Sequence, residues 1–462
     1  MAKRSKIQLE LAFDERARGE APNRLGEGIE AIAASAVVER PAAVAGPSME
    51  AIVERDNLQE ALKRVKRNKG APGVDGMTVG ALSAHLKAHW PTIRAQLLDG
   101  SYDPQPVRRV EIPKPAGGVR ALGVPTVLDR FVQQAVLQVL QAHWDGTFSA
   151  SSYGFRPGRS AHQAVAAAQG FIASGLRVVV DIDLEKFFDR VNHDILMGLV
   201  AKRVADKRIL RLVRGFLTCG VLADGLVGPT DEGTPQGGPL SPLLSNLMLD
   251  VLDHELERRG HRFARYADDC NIYVRSRRAG ERVMASVERF LEKRLKLKVN
   301  MAKSAVAPPS QRKFLGFSFT RGETPRRRIA PQAVARFKER VRWLTRRTQG
   351  QSLEKIVEKL SRYLIGWRGY FGICETPSVL RALDQWTRRR LRSIVWKQWK
   401  RGRTRFAELR RRGVGHELAA QTAGSAHGPW RLSCSPALNI ALSNDFFLDR
   451  LGLASVAESD TA

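Results

Sequence analysis

The most informative segment of the chain is RYADDCNIYV, residues 265–274. Aromatic and apolar residues flank Asp268 and Asp269 on both sides, which predicts two paired strands joined by a tight turn that carries both acids. Two adjacent acids on a hairpin turn are often only a solvated surface feature. Their interpretation therefore depends on whether other acids of the chain are placed to meet them.

A second run, LRVVVDIDL at residues 176–184, repeats this design, because a short β-branched strand ends in Asp181 and Asp183. Side chains alternate along a strand, so these two acids share one face. Carboxylates that converge at low dielectric repel each other and take up protons unless cations neutralise them. Two Mg²⁺ ions about 4 Å apart are the usual solution where nucleotides are transferred to a 3′-hydroxyl. The acids therefore predict a two-metal site for nucleotidyl transfer.

Length and composition describe an ordinary globular protein with about two or three domains. The chain has 462 residues, of which 43% are hydrophobic and 27% are charged, which excludes collagen-like, wholly disordered and disulfide-scaffold proteins. Because the sequence has no long uncharged apolar run and no signal-peptide core, we expect a cytoplasmic protein without a membrane partner. The four cysteines are far apart, which favours reduced structural thiols over zinc ligands.

The net charge of +29 predicts a polyanionic partner. Residues 321–420 carry 27 lysine and arginine residues against 8 acidic ones, so +19 of this charge lies in about a fifth of the chain. Lipid headgroups are one alternative anion. RNA or DNA is favoured because six of the eight tryptophans lie in or just after this segment, among the arginines. They are Trp343, Trp367, Trp386, Trp396, Trp399 and Trp430.

The order of predicted elements is α+β, followed by a helical region. Helical spacing from Met49 to Val65 and around residues 82–98 follows an extension that lacks regular periodicity. The segment VRRVEIPKPAGGVRALGVP, residues 107–125, alternates and contains Pro and Gly-Gly, which predicts a β-hairpin. Further helices are predicted over 127–144, from Asp194, and over 243–258. From residue 333 to 412 only helical periods are present.

The motifs resemble those of group II intron reverse transcriptases, specifically of bacterial members that lack the C-terminal endonuclease domain with its Cys and His residues. Four motifs carry the resemblance, and four more extend it over about residues 50 to 455. They are YADD (266–269), DLEKFFD (183–189), PQGGPLSPLLSN (235–246), FLGF (314–317), NKGAPGVDG (68–76), IPKPAGGVRALGVP (112–125), SSYGFRPGRSAHQA (151–164) and GWRGYF (366–371).

The resemblance implies a right-hand polymerase, with an antiparallel sheet in its fingers and palm, followed by an α-helical thumb and maturase domain. The expected domains are a disordered extension (1–48), a helical fingers extension (49–110), fingers and palm (111–320), thumb and maturase (321–412) and a DNA-binding segment (413–462).

By the same resemblance, Asp183, Asp268 and Asp269 form the catalytic triad that binds two Mg²⁺ ions. The family places an aromatic residue five positions after its first acid, and here that residue is Phe188. Phe188 would exclude the 2′-hydroxyl of a ribonucleotide, although simple core packing is an alternative. Asp181 would then lie behind the triad.

Four further residues are expected at the incoming nucleotide. Lys114 and Arg120, on the predicted hairpin, would clamp the triphosphate, a task that suits a point charge and a bidentate fork. Gln236 would bond near the nucleotide or template, and Lys303 would lie near the phosphates. Each has a plain alternative: solvated surface for the lysines and arginine, and an ordinary turn for the loop around Gln236.

In the basic region, the resemblance implies contacts with template duplex and intron RNA. The run Arg388, Arg389 and Arg390 beside Trp386 is the strongest candidate, because its self-repulsion is best offset by a bound anion. A solvated charged face is the alternative interpretation.

The sequence therefore predicts an RNA-directed DNA polymerase that takes dNTPs and a DNA primer on an RNA template. It would also bind its intron RNA as a maturase in splicing and reach target DNA in retrohoming. Two alternatives stay open: a domesticated reverse transcriptase in DNA repair or phage defence, and an RNA-binding splicing chaperone without polymerase activity.

Overall fold

The structure is a computed structural model that describes residues 46–113, 119–223, 226–228, 232–234, 237–348 and 350–457, apart from the side chain of Arg120. The chain divides into two compact units. The first contains residues up to Ala164 together with Val180–Val306, and the second contains Val165–Val179 and Ala307–Ala462. Nearly all of the predicted N-terminal extension, 1–48, lies outside the described residues.

Up to residue 307, the described helices are α1 (Met49–Ile52), α2 (Arg55–Asn68), α3 (Leu82–Asp99), α4 (Val127–Trp144), α5 (Ala161–Ala173), α6 (His193–Ala201), α7 (Lys207–Thr218), α8 (Ser241–Arg258) and α9 (Arg277–Phe290). The strands are β1 (Val107–Pro113), β2 (Val119–Val124), β3 (Val178–Ile182), β4 (Val221–Ala223), β5 (Leu226–Gly228), β6 (Arg262–Tyr266), β7 (Asp269–Val274) and β8 (Ala305–Ala307).

Most predicted helices are confirmed, and one is divided. The helix α4 has the predicted bounds, and the Thr126 hydroxyl caps it by accepting a hydrogen bond from the amide of Asp129 at 3.0 Å. The predicted helix from Met49 to Val65 is instead two helices, α1 and α2. The break is stabilised because the side-chain amide of Asn57 donates to the carbonyl of Ile52 at 2.8 Å, at the end of α1.

Two sheets organise the first unit. The predicted hairpin is confirmed as β1 and β2, which pair antiparallel in a sheet of order β2-β1-β4-β5. The other sheet has the order β6-β7-β3-β8, so β3 lies directly beside β7. The helix α8 packs against β6, and its buried face includes most of its apolar residues. This second sheet is the one that carries the predicted acids.

The second unit is mainly helical. Most of α5 belongs to it. Beyond residue 307 its described strands and α-helices are β9 (Phe317–Phe319), β10 (Arg327–Ile329), α10 (Pro331–Leu344), α11 (Leu353–Phe371), α12 (Pro377–Gln398), α13 (Gly402–Arg411), α14 (His416–Ala423), α15 (Pro429–Leu432) and α16 (Pro436–Ala441). The prediction of helices alone between residues 333 and 412 is confirmed for the residues that are described there. The short helices α14 to α16, and the pairing of β9 with β10, were not predicted.

In the part of the chain that the structure describes, no helix combines the length and the apolar character needed to cross a membrane. All four cysteines are described, and each is a free thiol.

Candidate active site

The two acids of YADD lie at a tight turn between β6 and β7, as predicted. Tyr266 pairs with Asp269, so Ala267 and Asp268 form a two-residue turn. Ala267 has φ +57°, a left-handed value that a residue with a side chain seldom adopts. The turn is therefore held in its shape by its surroundings.

One of these surroundings is Gly154, from the SSYGFRPG motif. A Cβ atom built on Gly154 would stand 2.3 Å from the amide nitrogen of Ala267, so only glycine fits here. The neighbouring backbone is tied to β6, because the amide of Tyr153 donates to the carbonyl of Arg265 at 2.9 Å. Gly154 belongs to one of the sequence motifs, but nothing in that motif indicates that it contacts the turn.

The acids of the second motif occupy different environments. The strand β3 ends at Ile182, so Asp183 lies just beyond it, whereas Asp181 is inside it. Asp181 is 7% exposed, and the side chain of Asp183 is 43% exposed. The prediction that both acids belong to the strand is corrected on this point: Asp183 is on the loop that follows.

The segment from Asn300 to Ser304 holds Asp183 in place. The amide of Asp183 donates to the Ser304 hydroxyl at 2.9 Å, and the amide of Asn300 donates to the Asp183 carbonyl at 2.8 Å. The Nζ atom of Lys303 is 3.8 Å from Oδ1 of Asp183. The structure thus brings together two residues that were predicted for one site, Asp183 and Lys303.

Acids from β3 and β7 act on the same buried groups. Burial raises the pKa of Tyr273, and the nearby charges of Asp269 and Asp181 add to that rise. The same two acids contribute to raising the pKa of Cys270, although burial is the largest cause there also. Asp181 on β3 and Asp269 on β7 therefore both lie within electrostatic reach of Cys270 and Tyr273.

The three acids predicted to bind metal, Asp183, Asp268 and Asp269, differ from the ligand set of a closed metal site. Among the described residues, no group of three or more His, Cys, Asp or Glu side chains is arranged to hold a metal ion. Mg²⁺ at phosphate-transfer sites is held by one or two carboxylates together with substrate phosphates and waters, so a closed protein cage is not required. The hard oxygen donors of Asp183, Asp268 and Asp269 fit such an ion in their chemistry.

The two phenylalanines after Asp183 differ in burial. Phe187 is buried and Phe188 is half-buried, with their ring centres 5.1 Å apart. The carbonyl of Phe188 accepts a hydrogen bond from the amide of Thr234 at 2.7 Å. This contact fixes the backbone of Phe188, and its partly exposed ring is consistent with a role beyond core packing.

The glycines of the PQGGP loop allow a close approach, but the partner within this structure is the protein itself. Gly237 has φ +146°, and a Cβ atom on it would stand 2.6 Å from the carbonyl oxygen of Gly123 on β2. Gly237 therefore packs closely against β2. Lys114 and Gln236 lie outside the described residues, and of Arg120 only the backbone is described, paired with Ile112.

Comparisons with known proteins give the family. Residues 112–319 match the family "Reverse transcriptase (RNA-dependent DNA polymerase)", and residues 334–413 match "Group II intron, maturase-specific domain". The chain is 35% identical to protein YkfC of Escherichia coli over 295 aligned residues, which cover 55% of this chain and 77% of YkfC. The chain belongs to the group II intron reverse transcriptases. It is thus an RNA-directed DNA polymerase by family, and such domains use divalent metal ions.

Two other relatives of this reverse transcriptase are matched over shorter parts. Group II intron-encoded protein LtrA of Lactococcus lactis subsp. cremoris is 36% identical over 203 residues, which cover 44% of this chain and 34% of LtrA. The retron Mx65 reverse transcriptase of Myxococcus xanthus is 31% identical over 194 residues, covering 39% of this chain and 43% of the relative. The chain thus spans about a third of the length of LtrA.

In the second unit of the reverse transcriptase, the FLGF motif forms a tight turn. Phe314 and Phe317 pair through hydrogen bonds of 2.8 and 2.9 Å, and Leu315 and Gly316 have φ of +51° and +82°. The hydroxyl of Tyr370, from the GWRGYF motif, donates to the carbonyl of Leu315 at 2.8 Å. Two motifs that are distant in the sequence therefore form one structure.

The three consecutive arginines of α12 have different neighbours. Arg389 lies over the ring of Trp430 at 4.0 Å, and Arg390 donates to the hydroxyl of Thr345 at 2.7 Å. Burial lowers the pKa of Arg390, and the charges of nearby arginines lower it further. Burial is the main cause that lowers the pKa of Arg392, and the charge of the nearby Arg388 lowers it further. The run is therefore not one uniform basic surface.

Most of the tryptophans that are interleaved with arginines in the sequence make contacts within the protein. Among the described residues, Trp343, Trp386, Trp396, Trp399 and Trp430 each lie against at least one cationic side chain. Trp396, Trp399 and Trp367 are buried and Trp386 is half-buried, whereas Trp343 and Trp430 are 41% and 37% exposed. Of the tryptophans expected to face nucleic acid, only these two exposed rings remain candidates for such a contact.

A basic groove of about 700 Å³ lies next to Trp343. Its walls contain arginines and a lysine from α10, the loop after it and α12. The cationic residues that line it are Arg342, Arg346, Arg347, Arg390 and Lys397.

Proposed function

We propose that this reverse transcriptase copies an RNA template into DNA by adding dNTPs to a primer 3′-hydroxyl, with two Mg²⁺ ions held by Asp183, Asp268 and Asp269. The observation that carries the proposal is the adjacency of β3 and β7, because β3 ends at the residue before Asp183 and β7 begins at Asp269. When bound, the two ions supply charge for activating the 3′-hydroxyl and stabilising the departing pyrophosphate.

The protein's own residues would orient the nucleotide. The side chain of Lys303 is 67% exposed, and it lies beside Asp183, so it can reach the phosphates of a nucleotide held there. Phe188 would contact the sugar and exclude a 2′-hydroxyl. The family motifs support Lys114 and Arg120 as triphosphate contacts and Gln236 as a contact to the nucleotide or template.

Primer extension on a defined RNA template with purified protein tests this proposal. We expect extension with dNTPs and Mg²⁺, none with EDTA, and little with rNTPs. Asp183→Asn should abolish extension, whereas Asp194→Asn should preserve it, because Asp194 is an exposed acid that pairs only with Arg214 among the contacts described. Extension by Asp183→Asn at the normal rate would remove Asp183 from the site.

We further propose that the second unit binds group II intron RNA and acts as a maturase, and that the segment 413–462 contacts target DNA. The match of residues 334–413 to the maturase-specific domain and the basic groove beside Trp343 support intron RNA as the ligand. The expected compartment is the cytoplasm, where these nucleic acids and dNTPs are found. The domain boundaries given from the sequence are part of this proposal.

Splicing of a transcript from the gene's own locus, at near-physiological Mg²⁺ with and without protein, tests the maturase role. Protein-dependent excision is the expected result. Primer extension without excision would instead favour a domesticated reverse transcriptase in repair or defence. Excision that survives in Asp183→Asn, with no extension by the unmodified protein, would favour a splicing chaperone.

A further inference from the structure

A buried guanidinium lies directly behind the YADD turn. Arg265 is fully buried at the end of β6, two residues before the turn, and all five of its N–H groups have acceptors. The acceptors are both carboxylate oxygens of Asp253 at 2.5 to 3.0 Å, Oδ1 of Asn246 at 3.0 Å, the Ser152 hydroxyl at 2.8 Å and the Ala267 carbonyl at 2.8 Å.

The charge of Arg265 is maintained in spite of its burial. Burial opposes the charged form, but the carboxylate of Asp253 outweighs it, so the pKa of Arg265 is raised. A buried ion pair contributes little net stability compared with apolar residues of similar volume, so its presence needs another explanation. The placement of one donor on the carbonyl of Ala267, inside the turn, indicates what that explanation is.

Asn246 extends this network to the other side of the turn. Its Oδ1 atom accepts from Arg265, and its Nδ2 atom donates to the carbonyl of Gly154 at 2.8 Å. Gly154 in turn lies against the amide of Ala267. The contacts therefore close a ring through Arg265, Asn246, Gly154 and Ala267. Within it, the carbonyl of Ala267 accepts a hydrogen bond from Arg265, and the amide of Ala267 packs against Gly154.

We propose that Arg265, with Asp253 and Asn246, is a positioning residue that fixes the carboxylates of Asp268 and Asp269 for metal binding. This inference rests on the proposed function, because it assigns the network to the metal site of that function. The three residues are buried and do not touch a substrate. They act by holding Ala267 at its left-handed φ. This backbone conformation fixes the positions from which the side chains of Asp268 and Asp269 extend.

The test uses Asn246→Ala, with Ser245→Ala as the matched control. Ser245 is the preceding residue of α8, equally buried, and its hydroxyl donates to the carbonyl of Ser241 without reaching the turn. Asn246→Ala removes the two hydrogen bonds that Asn246 makes in the ring, while leaving the Arg265–Asp253 pair and the bond from Arg265 to the Ala267 carbonyl intact. We expect the half-saturating Mg²⁺ concentration in primer extension to rise by about tenfold, which is typical for loss of a residue that orients metal ligands.

Two readouts separate positioning from a loss of folding. Binding of the primer–template should be unchanged, and hydrogen exchange of the peptide spanning residues 266–270 should be faster in Asn246→Ala than in Ser245→Ala. Arg265→Lys, which keeps the charge but cannot reach four partners, should shift the Mg²⁺ dependence in the same direction.

The outcomes distinguish this inference from the function on which it rests. An Asn246→Ala protein with the Mg²⁺ dependence and turn exchange of Ser245→Ala would overturn the positioning role, even if the unmodified protein is an active polymerase. Faster exchange of the turn in a protein that never extends a primer would overturn the proposed function and the role of the network in metal binding, and would leave only a structural contact.

Discussion

Gly154 lies against Ala267 so closely that a Cβ atom on Gly154 would meet the Ala267 amide nitrogen at 2.3 Å. Since the obstacle is backbone, the turn that carries Asp268 must move to accommodate Gly154→Ala. A displacement of about 1 Å at a reacting centre can cost on the order of 100-fold in rate. We predict a loss of about 10- to 100-fold in kcat for primer extension.

The control for this prediction is Gly198→Ala on α6. A Cβ atom there meets nothing within 4 Å, and alanine is the better helix former. Equal activity of the two variants would show that the contact between residues 154 and 267 does not position the acids.

Phe188 is predicted to select the sugar. Phe188→Ala should raise the ratio of rNTP to dNTP incorporation by about tenfold or more, because it removes the group that would clash with the 2′-hydroxyl. Phe187→Leu, at the buried neighbour, should leave this ratio unchanged. Single-nucleotide incorporation with paired dNTP and rNTP measures both ratios, and an unchanged ratio in Phe188→Ala would assign the ring to packing alone.

Lys303 is predicted to bind the triphosphate. Lys303→Met should raise the KM for dNTPs several-fold, by roughly the contribution of one charge-assisted contact, with a smaller effect on binding of the primer–template. Lys298→Met, at an exposed lysine five residues earlier, serves as the control. If both variants have the same KM for dNTPs, Lys303 contacts Asp183 but does not bind the triphosphate.

Asp384 is predicted to stabilise the second unit. Its carboxylate accepts from the Ser455 hydroxyl at 2.6 Å and from the amides of Val456 and Ala457 at 2.9 and 3.0 Å. Asp384→Ala removes the acceptor that these three donors share, so the free energy of unfolding should fall by about 1–3 kcal/mol. Urea unfolding checks this, with the exposed Asp445→Ala as the control; a common midpoint for both variants would contradict it.

The local elements of the site could be predicted from the sequence because their signals are local. The alternating residues around Asp268 predict the hairpin β6–β7, and the β-branched run before Asp181 predicts β3. The bounds of α4 follow from its apolar period. In each case the residues that determine the element are neighbours along the chain.

The contacts that hold the site could not be predicted, since they join distant positions. Nothing in the SSYGFRPG motif indicates that Gly154 touches a turn more than a hundred residues later, or that Arg265 meets Asp253. The tryptophans show a second limit: composition places Trp396 and Trp343 in one aromatic and basic group, but only packing makes the first buried and the second exposed. The position of a residue along the sequence does not show whether the rest of the protein packs against its face of the helix.

The central claim, that the acids of YADD catalyse DNA synthesis on RNA, is tested most directly by single-turnover primer extension with Asp268→Asn. The change is nearly isosteric but removes the negative charge that a divalent ion needs. We predict at least about a 10³-fold loss of rate, with primer–template affinity unchanged and Asp194→Asn as active as the unmodified protein. Extension by Asp268→Asn at a rate close to normal would contradict the account.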